Sequence, residues 1–147
     1  MTTQEQIDKF IAEQPEPKRT DMQALHGVIV QAMPACRLWF LDGRNDEGKV
    51  VTNPNIGYGL QTMHYADGMS REFYRIGLSA TKSGISVYIL GIKDKTLLAR
   101  MYGADMGKAS VSGYCIGFKA LKDVNLDTLV AAIRHGAEAQ DGAAPPG

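Results

Sequence analysis

A net charge is the first thing this chain lacks. Sixteen Lys and Arg balance sixteen Asp and Glu, so no overall field draws it to nucleic acid or to an anionic membrane. Long apolar runs are missing too; none approaches the ~20 residues of a membrane-spanning helix. Cysteine is scarce. Cys36 and Cys115 stand far apart with no CxxC spacing, which excludes a disulfide framework and reads as two reduced thiols in a cytoplasmic protein. Histidine occurs three times, at His26, His64 and His135, with no HxxH or HExxH spacing, so no metal site is legible. The first ten residues, MTTQEQIDKF, are too polar for a signal or transit peptide.

What is present is an ordinary globular composition, 44% apolar and 22% charged over 147 residues. That length suits one domain and supports a core without disulfide or metal staples. A single domain over residues 1–138 is expected, with a loose tail at 139–147 that has too little apolar content to pack.

Apolar spacing predicts a helix over residues 4–14, opened by Thr3 with Gln6 as a capping box and closed by Pro15. A second helix follows Glu16-Pro17, with Met22, Leu25, Ile29, Ala32 and Met33 on one stripe, and ends at Pro34. The period then changes to two. Strands are expected at 37–41, 49–52, 56–65, 73–80, 85–92 and 113–119. Asp67-Gly68 and Ser83-Gly84 supply positive φ between neighbours, and the short gaps make an antiparallel meander. A helix capped by Asp94 and stopped at Gly103 is expected, then a last helix capped by Asn125 and closed by Gly136. The fold class is α+β: an antiparallel sheet of about five strands flanked by helices.

The stretch GADMGKAS, residues 103–110, looks like a phosphate-binding loop but fails its spacing. Three residues rather than four separate Gly103 from Gly107, and Ala109 stands where the hydroxyl belongs. It also follows a helix, whereas a phosphate loop precedes one. Gly57-Tyr58-Gly59 reads as a bulge or a close backbone approach. His26 reads as a partly buried histidine on its helix, and His135 as a cation favoured by a helix C-terminus.

Chemistry is thin. Cys115 with His64 is the one thiol or acid–base pair to consider, and a buried core thiol is the competing reading. The tyrosines and basic residues in or beside strands, Tyr58, His64, Tyr65, Arg75, Lys82, Tyr88, Lys108 and Tyr114, are candidates to hold a small polar or anionic ligand if a sheet face is concave. Ordinary cross-strand packing competes with that reading too.

The run MHYADGMSREFYRIGLSATKSGISVYILG and the later LLARMYGADMGKASVSGYCIGFKALKDVNLDTLVAAI resemble the YdhG-like family, a family of domains of unknown function. The resemblance covers about residues 4–136 and is most specific in the C-terminal half. It implies an α+β domain with helices flanking an antiparallel sheet. Some relatives are described as frataxin-like iron chaperones, which implies iron held by Glu5, Asp8, Glu13 and Glu16. Solvated helix-face carboxylates are the plainer reading of those four. The chain departs from the family in the long loop after Leu38-Trp39-Phe40. The expectation is a non-enzymatic cytoplasmic domain, without a cofactor unless iron is one. It would bind a small molecule or a protein, a second copy included, through the sheet face and the loop at 42–55. Neither nucleic acid nor membrane is expected as a partner.

Overall fold

Two helices lead the chain. Helix α1, Thr3–Ala12, opens on a capping box one residue earlier than the sequence suggests: Thr2 accepts from the Glu5 amide at 3.1 Å and Glu5 accepts from the Thr2 amide at 3.0 Å. It buries Ile7, Phe10 and Ile11. Helix α2, Lys18–Ala32, buries Met22, Leu25 and Ile29, the stripe read from its spacing. The computed structural model describes residues 1–138, so the expected tail at 139–147 lies outside the described residues.

The strands are β1 (Leu38–Leu41), β2 (Asn55–Tyr58), β3 (Gln61–His64), β4 (Ser70–Phe73), β5 (Ile76–Thr81), β6 (Gly84–Ile89), β7 (Ser110–Ser112) and β8 (Cys115–Phe118). Helix α3, Leu97–Tyr102, separates β6 from β7, and α4, Leu126–Glu138, follows β8. Six strands form an antiparallel sheet in the order β1-β2-β5-β6-β8-β7, and β3 pairs β4 in a separate hairpin. The fold is α+β, with helices at both ends of the chain.

Several boundaries differ from expectation, each for a local reason. The strand expected at 56–65 breaks in two because Gly59 adopts φ +87°. The one expected at 73–80 breaks at Tyr74-Arg75, where the buried Gln61 amide donates to the Tyr74 carbonyl at 3.0 Å and the Leu90 carbonyl at 2.9 Å. Residues 49–52 are loop: Val50 makes only an isolated bridge to Arg44, and Val50 and Val51 are both exposed. The sheet is not a pure meander, since β7 takes the edge outside β8. Gly84 has no positive φ; its missing Cβ admits the Phe118 carbonyl. Asp94 binds the Thr96 amide and hydroxyl ahead of α3, and Gly103 stays right-handed at φ −59°. Asn125 does cap α4, accepting from the Thr128 amide. Gly136 lies inside α4 and is buried, because an added Cβ would meet Ile89 at 2.5 Å.

Strand register sorts the side chains into two faces. Phe40, Ile56, Leu78, Val87, Ile116 and Val111 form one row across all six strands. This row, with Tyr58, Ile76, Ile85, Ile89 and Phe118, shares one core with the buried residues of α1, α2 and α4. Each such aliphatic contributes about 1.5–3 kcal/mol by leaving water. The opposite face carries Trp39, Gly57, Gly77, Tyr88, Cys115 and Ser112 in one row and Leu41, Asn55, Ser79, Ser86, Gly117 and Ser110 in the next. None of Trp39, Tyr74, Tyr88 and Cys115 belongs to the helix-side core.

Candidate functional site

The second face carries the site. Gly57 and Gly77 leave a bare patch on β2 and β5, and the Tyr74 ring lies on it; a Cβ at either glycine would run into that ring. Tyr74 stacks on Phe73 at 4.1 Å between centroids, and Trp39 meets both rings edge-on at 6.0 and 6.4 Å. The Trp39 indole N–H donates to the Gly59 carbonyl at 2.8 Å, which holds its ring. Arg37 sits 4.0 Å over the Trp39 ring and Arg71 lies 4.9 Å over Phe73. Burial, with the neighbouring Tyr88, pushes the Tyr74 hydroxyl up to about 12, so it stays neutral.

The aromatic surface continues along the hairpin. Its register places Met63 opposite Arg71 and Gln61 opposite Phe73, and the turn pairs Tyr65 with Met69. Alternation therefore puts Met63, Tyr65, Met69, Arg71 and Phe73 on one side of the hairpin. Asp67 accepts from the Met69 amide at 2.9 Å and Gly68 turns at φ +85°, as the Asp-Gly pair suggested. Met69 is 64% exposed, Tyr65 44%, and Leu60 at the hairpin root 41%. At the other end, Leu41 shares the Trp39 face of β1 and borders a cavity of about 380 Å³ lined by Phe40, Asp42, Arg44 and Val51.

The eight candidate ligand residues fall on different surfaces. Tyr58 is fully buried on the helix side, its hydroxyl 2.7 Å from His26 Nδ1. Arg75 is buried and donates from Nε to the Gly136 carbonyl in α4 at 3.1 Å. Tyr114 donates to the Lys93 carbonyl. Lys82 lies in the β5–β6 turn, and Lys108 follows Gly107 in an exposed loop. The Lys108 amide donates to the Asp123 carbonyl and the Ala109 amide to the Gly107 carbonyl, so neither amide is available to a phosphate. His64 sits near the hairpin tip, facing away from Tyr65 and Met63. Of the eight, Tyr88 is on the sheet's open face and Tyr65 on its hairpin extension. Trp39, Phe73, Arg37 and Arg71 escaped the sequence reading; what would have flagged them is alternation of aromatic and arginine at Arg37-x-Trp39 and Arg71-x-Phe73.

Cys115 and His64 belong to separate sheets. Burial raises the Cys115 thiol, with the Ser86 hydrogen bond only partly opposing, which disfavours the nucleophilic thiolate. Of the four carboxylates linked to iron, three are engaged locally: Glu5 in the α1 capping box, Asp8 accepting from the Gln4 side-chain amide at 2.9 Å, and Glu16 with the Thr20 hydroxyl at 2.8 Å and Arg19 at 3.5 Å. Among the described residues no group of three or more His, Cys, Asp or Glu is placed to hold a metal ion. No helix among them is long and apolar enough to cross a membrane.

His26 predicts a pH dependence. Burial lowers its pKa below the ordinary 6.5, with Asp8 partly opposing. As pH falls through about 6.5 the unfolded chain takes up the proton before the folded one, so this contribution is full above that value and is lost on acidification. Urea midpoints measured between about pH 7.5 and 5.5 should fall less steeply for His26→Gln than for the wild type. Parallel curves would assign the acid sensitivity elsewhere.

Comparison with protein-family models, with curated proteins and with solved structures finds no match to this chain.

Proposed function

We propose that this chain is a cytoplasmic, non-enzymatic binding domain that takes a partner protein along the hairpin and the adjoining helix-free sheet face. The observation that carries the reading is the one-sided hairpin. Met63, Tyr65, Met69 and Phe73 share a side, and Tyr65 and Met69 are exposed at 44% and 64%. A free two-stranded hairpin is marginal in water and gains from a covering surface. Trp, Tyr, Arg and Met are also the types enriched where protein contacts concentrate their energy. Arg71 sets positive charge beside the apolar strip, while Arg37 is paired with Glu72 of the hairpin at 4.0 Å, so the fitting partner is a segment with apolar anchors and an acidic neighbour for Arg71. Both cysteines are free, in keeping with a reducing compartment. The YdhG-like resemblance, with its departure over residues 41–55, is part of this proposal.

A small ligand on the sheet itself is the second reading. A Cβ at Gly117 would meet only the Ser86 hydroxyl, at 3.8 Å, so the sheet is uncrowded in the row next to Tyr88 and Cys115.

The test is selection of peptides from a random display library on the intact chain. Enriched peptides should combine apolar and acidic residues, and Met69→Glu should weaken their binding by about tenfold or more. Lys95→Gln, an exposed residue on the loop before α3, should leave it unchanged. Peptides that bind Met69→Glu as well as the wild type would remove the hairpin from the reading.

A further inference from the structure

Far from the hairpin, the start of α2, the β5–β6 turn and the segment after β8 meet around a cavity of about 470 Å³. Four lysines line it: Lys18, Lys82, Lys119 and Lys122. They come from separate parts of the chain, and specific bonds hold the parts together. Lys18 Nζ donates to the Thr81 carbonyl at 2.6 Å, and Asp21 accepts from the Leu121 amide at 3.1 Å.

The charge at this place is unusual for the molecule. The chain as a whole is neutral. Only two acids, Glu16 and Asp123, line the cavity beside the four lysines. Glu16 is already bound by Thr20 and Arg19. Among the described residues no salt bridge reaches any of the four ammonium groups. Gathering like charges in a concavity costs energy on folding, and a bound anion offsets that cost. Pro15, Pro17 and Ala120 add an apolar wall. The volume falls in the range of small-molecule sites.

We propose that this cavity binds a small anion bearing two or more phosphate groups. Lysine recognises phosphate as a mobile point charge, without the planar fork that would demand one geometry. Two or more phosphates are needed to span ammonium groups set on separate segments. The site is independent of the hairpin.

Inorganic tripolyphosphate is the probe, titrated calorimetrically into the full chain at about 50 mM salt, where screening is modest. The wild type should bind it, and more tightly than it binds orthophosphate or citrate. The Lys82→Gln/Lys119→Gln double variant should lose about tenfold in affinity. Lys49→Gln/Lys95→Gln makes the same change in net charge elsewhere and should bind as the wild type does. Both doubles alter exposed side chains, and their thermal midpoints verify folding. Lys122→Gln is an independent version expected to weaken binding by about threefold. Absence of binding at millimolar tripolyphosphate would overturn the proposal, as would equal losses in the two double variants. So would binding to phosphatidylserine vesicles or a DNA oligonucleotide without binding to free tripolyphosphate.

Discussion

Gly91→Ala is expected to cost about 3 kcal/mol or more, one added methyl group acting as a wedge between sheet and helix. Gly91 follows β6 and is buried. A Cβ there would stand on the Gly136 carbonyl, with Gly136 C at 2.9 Å and Arg75 Nε at 3.3 Å. The obstructing atoms are backbone, so no rotamer change relieves the clash; the C-terminal part of α4 must move off the sheet. For a domain of this size that loss corresponds to a fall in Tm of roughly 10 °C. The contrast is Gly27→Ala in α2, where nothing lies within 4 Å of the new Cβ. Alanine in a helix interior is favoured over glycine by about 1 kcal/mol, so Gly27→Ala should raise Tm. Thermal unfolding of the two variants checks both signs. A Gly91→Ala protein as stable as the wild type would mean that α4 does not seat on this strand end.

Arg75→Ala is expected to be nearly as damaging, at about 3 kcal/mol, by loss of a buried hydrogen-bonded side chain. Its Nε holds the Gly136 carbonyl and so ties the start of β5 to α4. Its backbone ties three segments, the amide donating to Tyr58 and the carbonyl accepting from Leu90 and Gly91. Arg75→Lys should recover only part of the loss, because an ammonium cannot reproduce the guanidinium fork. If Arg75 served a ligand instead, Arg75→Ala would leave the urea midpoint in place. The Arg75 and Gly91 substitutions both act through Gly136. Their combined cost should therefore fall short of the sum, a coupling that a double-mutant cycle measures.

Arg75 also shows where reading a sequence stops. Between Tyr74 and Ile76 it looks like a strand residue whose charge points to solvent or to a ligand. The bend at Tyr74-Arg75, stapled by Gln61 from an earlier strand, turns it toward α4 instead. Tyr58 and Tyr88 show the same limit. Alternation states that neighbours along a strand face opposite ways, but not which way the helices lie. Tyr58 is under them, and Tyr88 is on the face they leave bare. The strand β7, Ser-Val-Ser, is too short and polar to announce itself and exists because β8 pairs with it. The opposite error, a strand at 49–52, followed from two valines that find nothing to pack against.

Local chemistry by itself determined the helical stripes of α1, α2 and α4, the cap at Asn125, the Asp-Gly hairpin turn and the failure of residues 103–110 as a phosphate loop. Each depends on residues within about one or two helical turns or one hairpin of each other, where spacing and φ preference act directly. Tertiary structure alone decided that Trp39, Phe73 and Tyr74 share a surface, that Gly136 and Gly91 touch, and that four lysines from three segments line one cavity. Those neighbours are brought together by pairing and packing across long stretches of chain. A linear pattern of residues carries no record of which distant partner a face will meet.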